Sequence, residues 1–417
     1  MSLDKLVVVG ASLAGLRAVE AARKHGFEGS ITLIGAEPHL PYDRPPLSKA
    51  FLVRQEGQDT HEFVEFRSEQ TFAEELRVDL VLGAPATSLD TATRTVYVGD
   101  RPISYDALVI ATGAHARMLP GFDGLTGVHV LRTIDDAVAI RSAIESGART
   151  VVIGAGFIGS EIASSAKKVG SDVTVVEALP VPLVRAIGEQ MGATVAKLHE
   201  LNGTRLICGV TVTSVSGDGR VERVELSDGT VLEADLVIVG AGAVPNVAWL
   251  EGSGLTLENG IVCDEHLFTG VEGVYAAGDV AHWPNPQFEG ARMRMENWTA
   301  AAEQGAVAAH NAVTEGEPKA YGTVPYFWSD WYGSRIQFVG VTDADDITVV
   351  EDNIDTDGRV IALYAKEDKL VGALTVNRQT EIMKLRGQIM KGASIEDAKT
   401  FVASRLEALA AKAAASD

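Results

Sequence analysis

The sequence predicts an α/β protein: two similar units, each a parallel sheet wrapped by helices, followed by a C-terminal α+β region. Three observations carry that reading. A buried strand, a glycine turn and a helix follow one another twice, with first glycines at Gly10 and Gly154. Each copy is closed by a second apolar strand ending in a glycine turn, at Leu108–Gly113 and at Leu236–Gly242. Beyond residue 322 the glycine-punctuated strands give way to clustered aromatics and short alternating segments.

The first unit opens on Leu6–Val9, an apolar run that reads as a buried strand. Gly10, Ser12 and Gly15 then fall at G-x-G-x-x-G spacing, with Leu13 and Ala14 completing the turn. A helical pattern runs from Leu16 to Lys24 and stops at Gly26. Such a turn gathers backbone N–H groups and the positive end of a helix at one point, which suits a pyrophosphate. Ser12 stands where a second glycine normally lets phosphate approach closely. It is a mild departure, because its hydroxyl can hydrogen-bond an oxygen. Ser30–Gly35 reads as the next strand, and Glu37 beyond it is placed to accept from adenosine ribose hydroxyls.

Pro41–Lys49 follows, a loop stiffened by Pro45 and Pro46, which puts Arg44 and Lys49 on a rigid support. Thr60–Leu82 shows no strand alternation and reads as a connecting segment. Thr95–Val98 and Ile103–Tyr105 read as a small hairpin, and Leu108–Ala114, containing Ala111, Thr112 and Gly113, closes the unit.

The second unit repeats the design with every glycine in place. Val151–Ile153 is followed by Gly154, Gly156, Phe157, Ile158 and Gly159, then by a helix to Val169. The strand Asp172–Val176 ends at Glu177, the acidic position of a complete dinucleotide fingerprint. A charged β pattern covers Val210–Leu232, and Leu236–Ala243 closes the unit with Gly240 and Gly242. The chain then returns to a buried strand at Gly273–Ala277 that ends in Gly278-Asp279, and Glu296-Asn297-Trp298 leads into an Ala-rich helix over Thr299–Asn311. Pro325–Tyr332, including Trp328, concentrates aromatics. Alternating segments follow at 336–341, 347–350, 360–366 and 370–376, then helices over Thr380–Met390 and Ile395–Ala414.

Composition narrows the function. With 36 basic and 57 acidic residues the net charge is −21, which argues against a nucleic-acid partner. Two cysteines, Cys208 and Cys263, make no disulfide framework and suit a reducing compartment. The N-terminal residues have no signal-peptide layout and no apolar run is long enough for a membrane helix, so a cytoplasmic protein is expected. Nine scattered histidines lack ligand spacing, so no metal is expected; His282, near Asp279, reads as a loop histidine.

Assembled, the residues resemble the FAD-dependent, NADH-linked ferredoxin reductases of bacterial oxygenase systems, the putidaredoxin reductase and biphenyl dioxygenase reductase type. The resemblance spans nearly the whole chain. Arg44-Pro-Pro-Leu-Ser-Lys49 and Pro325-Tyr-Phe-Trp-Ser-Asp330 are its most specific strings. It implies two Rossmann-like, glutathione-reductase-like domains plus the C-terminal α+β domain: FAD on 1–113 and 244–322, NADH on 114–243, and a third domain on 323–417.

For FAD, the resemblance assigns Gly10, Ser12, Leu13, Ala14 and Gly15 to the pyrophosphate turn, Glu37 to the ribose and the Ala86 backbone to the adenine side. Arg44, Pro45, Lys49, Ala111–Gly113, Arg117 and Arg132 line the cofactor, and Gly278 with Asp279 meets the ribityl chain. The Trp298 backbone, at a helix start, meets the isoalloxazine and would favour negative charge there. Trp328 packs against the flavin near the electron exit. Gly154, Gly156, Phe157, Ile158, Gly159, Glu177, Gly240 and Gly242 serve NADH. Glu177 disfavours the 2′-phosphate of NADPH. Lys49 and Glu161 match a catalytic pair near flavin and nicotinamide. They are expected to form an ion pair that positions the nicotinamide, with a purely structural pair as the alternative.

The implied activity takes hydride from NADH and delivers single electrons to a [2Fe–2S] ferredoxin serving a cytochrome P450 or a Rieske-type oxygenase. Docking would be transient and electrostatic, on a local basic patch with Arg292, Arg294, Lys319 and Arg335 as candidates, and the enzyme a monomer or weak dimer. An NADH-dependent rubredoxin reductase is the alternative. A flavoprotein like apoptosis-inducing factor would need a basic surface and targeting segments. A disulfide or peroxide reductase would need a redox cysteine near Lys49, where none stands; Cys208 and Cys263 read as inert apolar fillers.

Overall fold

The computed structural model describes residues 3–53, 65–122 and 124–414; the beginning of the Thr60–Leu82 segment lies outside them. The chain divides into two compact units. One comprises Met1–Asp43, Glu62–His115 and Ala243–Thr323; the other comprises Arg44–His61, Ala116–Gly242 and Val324–Asp417.

The first unit is built on a five-stranded parallel sheet in the order Val274–Ala276, Ala107–Ile110, Lys5–Val9, Ser30–Ile34, Val78–Val81. Register is tight: Val8 lies opposite Leu33 on one side and Val109 on the other. The central strands are apolar on both faces because both faces are covered. Helices Leu13–Lys24 and Trp298–Val313 pack closely together, since a Cβ on Gly305 would fall 2.2 Å from the Ala14 carbonyl oxygen.

Four details differ from the sequence reading. The first helix starts at Leu13 rather than Leu16, because the turn residues are already helical. The described end of Thr60–Leu82 holds a short helical turn, Thr71–Glu75, and the outermost parallel strand, Val78–Val81. That strand is too short to show alternation. Ala281–Asn285 and Ala291–Arg294 form an antiparallel pair despite Pro284. Ile261–Val262 pairs only with Ala281 and His282, so at Pro284 the strand has a free side and its missing N–H is tolerated. The expected hairpin gains a third strand, Ser88–Asp90, beside Thr95–Val98 and Arg101–Ser104.

The second unit contains another parallel sheet, ordered Arg205–Cys208, Val173–Glu177, Thr150–Ile153, Leu236–Val239, Val128–His129. Helix Phe157–Lys168 follows its glycine turn. Helix Ile134–Glu145 begins with a capping box of Thr133 and Asp136, and Val184–Leu201 is broken at Gly188, φ +78°. Neither of these two helices has a counterpart in the sequence reading; the break obscures the period of the second. The same unit carries a five-stranded antiparallel sheet, ordered Tyr326–Trp331, Ser334–Gly340, Lys369–Val376, Arg359–Lys366, Asp346–Asn353, followed by helices Gln379–Met390 and Ile395–Ala414. The aromatic string is thus an edge strand. Trp331, Phe338 and Tyr364 from this sheet share a core with Ile187, Met191 and Val195, and the Tyr364 hydroxyl donates to the Ile187 carbonyl at 2.6 Å. Among the described residues no helix is long and apolar enough to cross a membrane.

Candidate functional site

In the first unit the glycine turn is fixed by backbone contact. Gly10 has φ +121°, and a Cβ there would lie 2.0 Å from the Ala111 carbonyl oxygen; one on Gly15 would lie 1.9 Å from the Gly10 oxygen. These two glycines are therefore demanded by the approach of strand and helix. Ser12 is the N-cap of the helix, and its side chain makes no capping bond to the helix amides. Two further loops join the turn. Thr112 and Asn246 exchange hydrogen bonds of 2.8 and 2.9 Å, which fixes the Ala111–Gly113 turn. Gly278, φ +76°, sits against Ala14, and its N–H donates to Gln304 Oε1 at 2.8 Å. Asp279 beside it is nearly buried.

The start of the second long helix completes the group. Asn297 caps it by accepting from the Ala300 amide at 2.9 Å, and the Trp298 indole donates to Asp43 Oδ1 at 2.9 Å. Further along the sheet, Glu37 Oε2 accepts from the Tyr42 hydroxyl at 2.6 Å, and Ala86 is half-buried just beyond Val78–Val81.

These residues fit an anionic dinucleotide such as FAD. Neither helix carries an acidic residue in its first turn, so neither positive end is offset by a carboxylate of its own first turn. Gln304 is buried, and its Nε2 has no partner among the described residues. A buried donor without an acceptor costs stability unless something else supplies one.

The second unit repeats the cradle. Gly154 has φ +99°, and a Cβ there would lie 2.5 Å from the Gly240 carbonyl oxygen; one on Gly159 would lie 2.1 Å from the Gly154 oxygen. Gly156 differs: an added Cβ would meet no protein atom within 4 Å. Packing does not require glycine there, whereas a phosphate drawn close to the backbone does. Ile158, in the first turn of the helix, is 42 % exposed, an unusual place for a large apolar side chain unless a ligand covers it. Both oxygens of Glu177 are held, one by the Ala155 amide at 2.7 Å and one by the Leu179 amide at 2.9 Å. Gly242 accepts from the amide of exposed Arg117 at 2.9 Å, and Arg44 donates to the Arg132 carbonyl at 2.7 Å.

The same unit brings Lys49 to Glu161. Pro45–Ser48 forms a one-turn 3₁₀ helix, and Ser165 pins it to helix Phe157–Lys168 by donating to the Ser48 carbonyl at 2.8 Å. Lys49 Nζ then lies 2.7 Å from Glu161 Oε2, with the Glu161 side chain only 5 % exposed. Sequence reasoning named this pair but missed two further partners. Ser48 Oγ donates to the same oxygen at 2.5 Å, and Ser329 Oγ donates to Oε1 at 2.6 Å. Both serines lie inside the two most specific strings, which is the only signal that pointed to them. Trp328 is half-buried and stacked on Tyr326, and Phe157 packs on Phe327 with ring centroids 4.6 Å apart.

Some side chains are engaged elsewhere than the sequence suggested. His282 is on a strand rather than a loop, its Nδ1 facing the Glu258 carbonyl at 2.8 Å. Of the basic docking candidates, Arg335 is paired with Asp330, Arg294 with Glu296, and Arg292 donates to the Cys263 carbonyl. Lys319 is exposed. Both thiols are free, and burial pushes Cys208 up to about 11 and Cys263 up to about 12, far from the range of a reactive thiolate.

Comparison with known proteins agrees with this anatomy. Residues 4–305 match the family described as pyridine nucleotide-disulphide oxidoreductase, and residues 326–409 match the reductase C-terminal family. Rhodocoxin reductase of Rhodococcus erythropolis is 38% identical over 384 residues, covering 91% of this chain and 88% of that protein. The ferredoxin–NAD(+) reductase component of the anthranilate 1,2-dioxygenase system of Burkholderia cepacia is 34% identical, covering 94% of this chain and 96% of its own. Among solved structures, the covalent putidaredoxin reductase–putidaredoxin complex superposes with a TM-score of 0.88 at 32% identity, covering 94% of each chain. The chain belongs to the pyridine nucleotide-disulphide oxidoreductases, in the ferredoxin reductase group that ends in a reductase C-terminal domain.

Proposed function

We propose that this protein is an NADH-dependent ferredoxin reductase that holds FAD and passes electrons to a [2Fe–2S] ferredoxin serving a cytochrome P450 or a Rieske-type oxygenase. The observation that carries the reading is the replacement of thiol chemistry by an ion pair. The family name speaks of disulphides, yet the two cysteines are unpaired with burial raising both thiols, and the second unit instead brings Lys49 to the buried Glu161. The names of the relatives agree with it: each is a reductase, and one is the ferredoxin–NAD(+) reductase component of a dioxygenase system.

When bound, FAD supplies what no side chain here can, a centre that accepts hydride and releases electrons singly. The residues then divide the work. The Gly10–Gly15 turn holds pyrophosphate, Glu37 and Ala86 the adenosine, Gly278 and Asp279 the ribityl chain, and the Trp298 amide the ring. The resemblance further assigns Arg44, Pro45, Ala111–Gly113, Arg117, Arg132 and Trp328 to the flavin. The Gly154–Gly159 turn, Gly240 and Gly242 hold NADH, and Lys49 with Glu161 orients its nicotinamide. The protein works as a monomer or weak dimer.

Two predictions arise here. Because backbone amides fix both Glu177 oxygens, the carboxylate cannot turn away from a 2′-phosphate. NADH is therefore preferred over NADPH by on the order of 100-fold in kcat/KM, and Glu177→Gln narrows the gap. Equal use of the two coenzymes by the parent enzyme would overturn the assignment. Separately, the double variant Cys208→Ser, Cys263→Ala keeps NADH-driven cytochrome c reduction, coupled through ferredoxin, within about twofold of the parent. A collapse of turnover in a folded double variant would put a thiol in the path.

The whole reading is tested by anaerobic stopped flow on FAD-loaded protein. NADH should bleach the flavin, and added [2Fe–2S] ferredoxin should then be reduced in one-electron steps, with rubredoxin as the competing acceptor. A protein that binds no flavin, or that reduces only disulfides, refutes it.

A further inference from the structure

We propose that Ser329, held by Trp331, is a positioning residue for Glu161 and through it for the nicotinamide of NADH. The inference rests on the reading of Glu161 given above and goes beyond it, since the hydroxyl comes from the C-terminal sheet.

The hydrogen-bond directions leave little freedom. Trp331 Nε1 lies 2.8 Å from Ser329 Oγ. An indole N–H only donates, so Ser329 Oγ must accept there. Its single O–H is then free to point one way, to Glu161 Oε1 at 2.6 Å. Ser329 and Trp331 stand two residues apart on strand Tyr326–Trp331, hence on one face of it, and both are completely buried. The indole ring is in turn packed against His199, with centroids 5.1 Å apart.

The carboxylate is anchored unequally. Oε2 receives both Lys49 Nζ and Ser48 Oγ. Among the described residues Oε1 receives Ser329 alone. The terminal torsion of a glutamate is broad, so the torsion itself does not fix the carboxylate plane. With Oε2 anchored alone the plane can turn about the side-chain axis; with Oε1 also held it cannot. One acceptor site on Oε1 stays uncommitted, and the carboxamide of nicotinamide carries an NH₂ group that matches it. The Ser329–Trp331 relay therefore sets where that acceptor site points, and a misplacement on the order of 1 Å at such a contact is enough to cost a large factor in rate.

The test compares Ser329→Ala, Trp331→Phe, the double variant and Glu161→Gln, all FAD-loaded. Thermal unfolding and flavin content show that each is folded, and NAD⁺ binding is measured by calorimetry. Ser329→Ala should weaken NAD⁺ binding on the order of tenfold and raise the KM for NADH more than it lowers kcat. Trp331→Phe, which keeps a ring but loses the N–H, should shift both in the same direction by less. The double variant should be no worse than Ser329→Ala, because Trp331 acts through Ser329. If Glu161→Gln weakens NAD⁺ binding while Ser329→Ala and Trp331→Phe do not, the relay is refuted and the role of Glu161 stands. If none of the variants changes NAD⁺ binding, the role of Glu161 falls with it. Should Ser329→Ala fail to fold, Trp331→Phe decides alone: weakened binding supports the relay, and unchanged binding overturns it.

Discussion

Alanine in place of Lys49 should slow the reduction of the flavin by NADH on the order of 100-fold, the scale of a lost positioning contact at a reacting centre. The reason is electrostatic as well as geometric. Lys49 is the only cation paired with Glu161 among the described residues, and the Glu161 side chain is 5 % exposed. Removing one partner of a buried pair leaves a charge without its counter-ion, at a cost of up to about 3–5 kcal/mol. Ser48 and Ser329 remain as donors and soften that loss, so the variant should fold, with a lower denaturation midpoint. Single-turnover stopped flow with NADH separates the two effects. An unchanged reduction rate in a destabilised protein would make the pair structural and remove its role in hydride transfer.

The second large effect concerns the glycines. Gly10→Ala combines φ +121° with a Cβ 2.0 Å from the Ala111 carbonyl oxygen, a backbone atom that cannot move aside alone. Strain and overpacking together should cost about 3–5 kcal/mol, a large part of the stability of an ordinary domain. The expected product is poorly soluble protein without bound flavin. Gly156→Ala is the contrasting case. Its added methyl meets no protein atom within 4 Å. Fold and flavin should survive, while NADH binding weakens about tenfold because the phosphate is held off the backbone. Thermal unfolding and coenzyme titration of the two variants would show the split. Equal damage to stability in both would contradict it.

These two cases also mark how far local sequence reaches. Gly10, Gly15, Gly154 and Gly159 are legible because a strand, a tight turn and a helix leave their signature within some ten consecutive residues. Gly156 shares that signature, and only the open space beside it separates a ligand-facing glycine from a packing one. Lys49 and Glu161 were nameable as a pair because each lies in a recognisable string. Val78–Val81 was not legible, since four residues at a sheet edge carry too little period, and neither was the helix broken at Gly188. The state of the docking candidates was not legible for a related reason. An arginine looks available in sequence, whereas Arg294 and Arg335 have carboxylate partners in the fold.

The sequence by itself determined the class of the fold, the two glycine turns between strand and helix and the presence of only two cysteines, because all three depend on local pattern or on residue count. Tertiary structure decided the rest. It brought Ser48 and Ser329 to Glu161 across 113 and 168 residues of chain, turned the Glu177 carboxylate back onto the Ala155 and Leu179 amides, and buried Cys263 fully and Cys208 in part. Hydrogen-bond partners and desolvation are properties of neighbours in space, and a chain records its neighbours in space only after it has folded.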